Sequence, residues 1–197
     1  LVVGLSHRSA PVEVLERITL RAADLDKVLA DLHDAAHISE AVLISTCNRL
    51  ELYADVTTFH GGVDDVSNIL SDHTGTPRQT LTPYLYVHYE ERAVQHLFTV
   101  AGGLDSMVVG ETQILGQVRE AYRTARESGA AGRVLTEVFQ NAIRVARRAH
   151  AETGIHAAGR SLVTVGLAAV APATATGPFE DGTTERPDGR SWRESVA

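Results

Sequence analysis

The spacing of apolar residues changes once along this chain, near residue 89, and that change limits the fold more than any other feature. Before it, short strand-like runs alternate with helical ones; after it, to about residue 171, the spacing is helical throughout. Leu1-Val2-Val3-Gly4-Leu5 reads as a buried strand. Pro11 opens a helix through Ile18, and Ala22 to His33 carries Leu25, Val28, Leu29 and Leu32 at helical spacing. Ala41 to Ser45 is a short apolar run. Leu50, Leu52, Ala54 and Val56 then alternate with Arg49, Glu51, Tyr53 and Asp55, the period-two pattern of a half-buried strand. Val63 to Asp72 is helical and stops near Gly75-Thr76-Pro77, and Tyr84 to Val87 closes the series as a strand. The order β-α-β-β-α-β predicts an α+β, ferredoxin-like sandwich in which helices cover one face of an antiparallel sheet.

A helical subdomain follows. Val94, Leu97, Phe98 and Ala101 form one stripe, with His96 pointing nearly opposite. A second helix is expected from Thr112 to Ser128. A third, Gly132 to Glu152, lines up Leu135, Val138, Phe139, Ala142, Ala146 and Ala149 before the stop at Gly154. Residues 1–155 are therefore expected to form one unit with 89–155 as its helical part. Residues 156–171 read as a linker helix, and the Pro- and Gly-rich stretch 172–197 as a disordered tail. With 44% hydrophobic residues against 22% charged, the chain can bury a core. The net charge of −7 argues against wholesale wrapping of nucleic acid. Leu162 to Ala175, the longest apolar candidate, is broken by Pro172 and too short to span a bilayer, and no signal peptide is recognisable; a cytoplasmic protein is expected. The first residue, Leu1, already lies in a strand-like run, so a few preceding residues are expected to be missing.

The chain has one cysteine, which excludes a disulfide framework or a Cys-rich zinc site and fits a reducing compartment. Cys47 lies between two strands, in the turn Thr46-Cys47-Asn48-Arg49. Lone cysteines are commonly small buried hydrophobes, but a polar turn beside a cation suits a thiolate nucleophile. In the 103–117 stretch, Asp105, Ser106 or Thr112 could cap the next helix. Equally, Glu111, Gln113 and Gln117 gather a carboxylate and two amides at a helix start, a cradle for a small zwitterion. His96 fits either solvent or a cleft between sheet and helices. His33 and His37 have the spacing of a zinc helix, yet no third ligand is near, and histidine is favoured at a helix C-terminus by the dipole alone; no metal site is expected. Seven arginines against three glutamates between Gly116 and His150 could meet phosphates or simply face solvent. No G-x-G-x-x-G or P-loop pattern occurs.

Three stretches in order, Gly4 to Pro11, Ser45 to Glu51 and Gly103 to Gln117, together resemble the glutamyl-tRNA reductase family. The resemblance runs over about residues 1–170 and includes Ala151-Glu152-Thr153-Gly154-Ile155. It implies that Cys47 attacks the ester joining glutamate to tRNA, giving a thioester that NADPH reduces to glutamate-1-semialdehyde for tetrapyrrole synthesis. It further implies that Thr46, Asn48, Arg49, Ser106, Glu111, Thr112, Gln113 and Gln117 hold the glutamyl group, and that His96 matters for activity. The implied partners are glutamyl-tRNA(Glu) and glutamate-1-semialdehyde aminomutase, with no membrane; the homodimer of the family rests on a dimerisation region expected to be absent here. The chemistry agrees: an aminoacyl ester is an activated acyl donor, an arginine can clamp a carboxylate through two nitrogens, and Glu111 can pair with an ammonium. Members of the family continue into an NADPH-binding domain and a dimerisation region. Here Gly177-Pro178-Phe179-Glu180-Asp181 stands where a glycine-rich loop belongs, so a truncated or frame-shifted chain that forms the thioester without reducing it is expected. The alternative is a non-catalytic remnant that binds tRNA or a partner.

Overall fold

The strands form where β-branched and apolar residues run unbroken: β1 (Val2–Ser6), β2 (Ile38–Ser45), β3 (Arg49–Val56) and β4 (Tyr86–His88). They pair antiparallel in the order β2-β3-β1-β4, with Leu43 opposite Leu52 and Leu5 opposite Leu50. The computed structural model describes residues 1–111 and 113–153, so the expected linker helix over 156–171, the tail from 172 and Thr112 lie outside the described residues. Helices α1 (Val12–Ile18) and α2 (Ala22–His33) connect β1 to β2. Helices α3 (Phe59–Thr74) and α4 (Arg78–Leu81) and a 3₁₀ turn (Thr82–Tyr84) connect β3 to β4. This is the predicted α+β order. Then follow α5 (Glu91–Ala101), α6 (Gln113–Glu127) and α7 (Arg133–Glu152).

One expectation is corrected. The sheet is covered on both faces, and the alternation along β3 does not mark a wet side. Leu52 and its partner Leu43 join the core with Val28, Leu32, Val66 and Leu70 from α2 and α3. The other face carries Arg49, Glu51 and Tyr53, and these are as buried as their apolar neighbours because α5, α6 and α7 lie over them. Tyr53 meets Phe139 of α7 edge-on, with ring centroids 5.3 Å apart, the geometry aromatic quadrupoles favour. A second correction concerns α5. Its buried face is Ala93, Leu97, Val100 and Ala101, while Val94 is exposed, so His96 lies beside the buried face and looks toward the sheet.

The β2 edge is closed by the α6–α7 connection. The Ala41 N–H donates to the Ala130 carbonyl at 2.9 Å. Glu40 reaches the start of α7, where its two carboxylate oxygens accept from the N–H groups of Val134 (3.0 Å) and Leu135 (2.7 Å). These are orphan donors of a helix start, and a negative charge there also complements the dipole. Gly132 makes room: a Cβ on it would lie 2.5 Å from Glu40 Oε1. His37 pairs with Asp65 of α3 at 3.0 Å, and His33 is exposed, so the two share no ligand. Among the described residues no helix is long and apolar enough to cross a membrane.

Candidate active site

The β2–β3 connection is a three-residue loop, Thr46-Cys47-Asn48. Thr46 shapes it. Its main-chain N–H donates to the Arg49 carbonyl at 2.9 Å, and its Oγ1 accepts from the N–H groups of Asn48 (3.2 Å) and Arg49 (3.1 Å). A hydroxyl that satisfies two turn donors holds a tight loop without glycine. The result leaves Cys47 exposed at the apex. A second loop, following β1, is tied on by the His7 N–H, which donates to the Asn48 carbonyl at 2.9 Å.

Beneath the apex lies a cavity of about 140 Å³. The hairpin contributes Thr46, Cys47, Asn48 and Arg49 to its wall. The α5–α6 connection contributes Ser106 and Glu111, and the first turns of α6 contribute Gln113 and Gln117. Gly103 and Gly110, at φ of 74° and 83°, give that connection its shape. It is closed by the Gly110 N–H donating to the Gly103 carbonyl at 3.0 Å. Eight of the residues marked from sequence thus line one cavity. Met107 and Ile114 add apolar wall, and His7 faces it as well.

Arg49 has a different neighbourhood from the free clamp expected of it. Its side chain is buried, with Nη1 donating to Glu51 (2.7 Å) and Nη2 to the carbonyl (2.6 Å) and carboxylate (3.0 Å) of Asp105. Arg8 meets the same Asp105 carboxylate at 2.9 Å. Arg49 therefore joins the hairpin to the loop that carries Ser106. Glu51 is the hub below it. It accepts from Arg49, from Tyr53 at 2.8 Å, from the Tyr86 hydroxyl, and from His96 Nε2 at 2.9 Å. Burial alone would push this carboxyl up; the His96 hydrogen bond, the Arg49 charge and the Tyr86 hydroxyl prevail and hold it at about 2. Gly4, opposite Glu51 in the sheet, leaves space for this side chain, since a Cβ there would come 2.8 Å from Glu51 Cγ.

His96 is thus one layer behind the cavity, fixed to Glu51, and not on the wall with Cys47. Glu51, His96 and Asp105 bring ligand-type atoms within 4.8 Å of one another, but the Arg49 guanidinium already supplies the cation between the two carboxylates. Sequence reading gave no role to His7, Glu51 or Tyr86, and gave Asp105 only that of a possible helix cap. A signal existed for one pair: an arginine and a glutamate two apart on a strand share a face, and beside a tyrosine that face can be an enclosed ion pair.

The sequence profile of the family described as glutamyl-tRNAGlu reductase, N-terminal domain, matches residues 3–153. A glutamyl-tRNA reductase of Streptomyces avermitilis is 58% identical over 182 residues, which cover 92% of this chain and 32% of that protein. One from Streptomyces coelicolor is 59% identical over 167 residues, covering 85% of this chain and 29% of that one. The solved glutamyl-tRNA reductase of Methanopyrus kandleri is similar in fold, with a TM-score of 0.62 and 35% identity. The match covers 77% of this chain and 34% of that structure. The chain spans about a third of the length of the relatives it matches.

Proposed function

Since the chain belongs to the glutamyl-tRNA reductase family through that family's N-terminal domain, we propose that Cys47 takes the glutamyl group from glutamyl-tRNA(Glu) as a thioester. The observation that carries this reading is an exposed thiol at the mouth of a cavity lined by one carboxylate, two glutamines and a serine. Sulfur attacks the ester carbonyl carbon, the bond to the ribose oxygen breaks, and tRNA departs. Glu111 pairs with the substrate ammonium. Gln113, Gln117, Ser106, Thr46 and Asn48 fix the acyl group by hydrogen bonds, so that the carbonyl is held against the sulfur. Arg49 and Asp105 position the two loops, and Glu51 with His96 holds Arg49 in place. Residues 1–155 form the unit that does this, working in the cytoplasm.

Reduction by NADPH to glutamate-1-semialdehyde is the reaction we propose for the whole protein. The described residues do not fit a dinucleotide: their sheet is antiparallel, with no crevice at the carboxyl ends of parallel strands and no glycine-rich turn leading into a helix. No hydride step is routed through them. Two of the seven arginines are less available for a purely binding role, Arg123 being tied to Glu120 and Glu127, and Arg148 to Glu152.

The test is transfer of labelled glutamate from glutamyl-tRNA to the 197-residue chain, quenched in acid. Wild type is expected to retain label that base or hydroxylamine removes, and Cys47→Ser to retain none as thioester. Equal labelling of the two chains, or none of wild type, overturns the proposal.

A further inference from the structure

We propose that His7 is the proton carrier of the Cys47 cavity: its imidazole takes the thiol proton as sulfur attacks and returns it to the departing ribose oxygen. This rests on the acyl-transfer reading above.

The case begins with who is available. Of the side chains lining the cavity, only those of His7 and Glu111 can accept a thiol proton, and an imidazole is by far the stronger base of the two types. Arg49 stays protonated and is held by Glu51 and Asp105. His96 lies behind the wall on Glu51. His7 and the thiol are also mechanically joined. The His7 N–H bond to the Asn48 carbonyl fixes the imidazole's loop to the residue next to Cys47. The ring itself is unfinished. His7 Nδ1 is buried and has no hydrogen-bond partner, a costly state for a structural histidine and a fitting one for a ring awaiting a proton or a substrate.

The surroundings set its form at rest. The charges acting on the ring are Arg49 from the hairpin, Arg8 from its own loop and Asp105 from the α5–α6 connection, while Cys47 and Glu111 line the same cavity. Burial first, then the Arg49 charge, lowers the tendency of His7 to protonate, with Asp105 opposing and Arg8 adding to the effect. His7 therefore waits as the neutral base at pH 7.

The step balances without an outside reagent. The S–H bond breaks and its proton passes to a ring nitrogen, while the sulfur pair forms the new bond to the carbonyl carbon. The tetrahedral oxyanion collapses, the carbon–oxygen bond to ribose breaks, and that oxygen takes the proton from the imidazolium. The products are thioester, neutral imidazole and tRNA with a free hydroxyl.

The experiment is single-turnover transfer of labelled glutamate from glutamyl-tRNA to the full 197-residue chain, between about pH 5 and about pH 9. Wild type should reach its plateau on the acidic side of neutrality. His7→Gln should be about 100- to 10,000-fold slower at pH 7. Its rate should climb with pH as hydroxide takes over the lost base's part, so that the gap narrows. A merely structural role would slow transfer equally at every pH, and that result overturns the inference, as does an unchanged rate. Circular dichroism of each variant against wild type reports folding. Should His7→Gln fail to fold, His7→Ala with added imidazole replaces it; rescue supports the inference and absence of rescue opposes it. No label on wild type removes the acyl-transfer reading and this inference with it. Label on wild type with an unchanged variant removes His7 alone.

Discussion

Glu51 is a carboxylate with 0% exposure, and its worth depends on having every partner in place. Removing one partner of a buried charged pair leaves the other uncompensated, so Glu51→Gln should lower stability by about 3–5 kcal/mol at neutral pH. The pH dependence has a definite sign. The carboxyl is held at about 2 against an ordinary 4.5, so its contribution is complete above the ordinary value and fades as pH falls from 4.5 toward 2. Urea unfolding at a series of pH values should show that acid limb in wild type and a flatter one in Glu51→Gln. Residue by residue, the cavity wall was legible because the Cys47 turn and the 103–117 stretch each gather several polar groups within a short length of sequence. His7 and the Glu51 hub were not. Period-two spacing reports that side chains alternate between faces, and it cannot tell a face in water from a polar network sealed under helices. For the same reason Arg49 read as a free cation.

At the scale of elements, β-strand and helix positions followed from apolar spacing. What escaped that reading was the contact between distant elements, such as Glu40 of β2 at the start of α7. Glu40→Ala should cost about 1–2 kcal/mol, the ordinary effect of losing a helix N-terminal partner. Gly132→Ala should cost a similar amount by a different route, because its methyl group would displace the Glu40 carboxylate, while its φ of −90° suits any residue. Thermal or urea melts of the two single variants and the double are the check. Both changes remove one interaction, so the double should be little worse than either single, a coupling that independent sites would not show. The orientation of α5 is a related case. Val94 fits an apolar stripe as well as Ala93 does, and spacing alone does not say which of the two is buried.

For the molecule as a whole, both faces of one sheet must be covered. The ferredoxin-like half closes one face with α2 and α3 and leaves Val42, Ile44, Arg49, Glu51 and Tyr53 to the later helices. Residues 1–90 alone should therefore fail to give a cooperative urea transition, whereas 1–153 should give one; circular dichroism with denaturant distinguishes them. The two halves are expected to melt as parts of one folding unit, despite the clean change of pattern near residue 89. The Glu40 bond to α7 crosses 94 positions of chain, and that span carries a consequence for assembly during translation. Because β2 emerges from the ribosome long before α7 is synthesised, α7 arrives to find its anchor already waiting. Its docking is then a late event, and weakening the anchor should hasten unfolding far more than it delays folding.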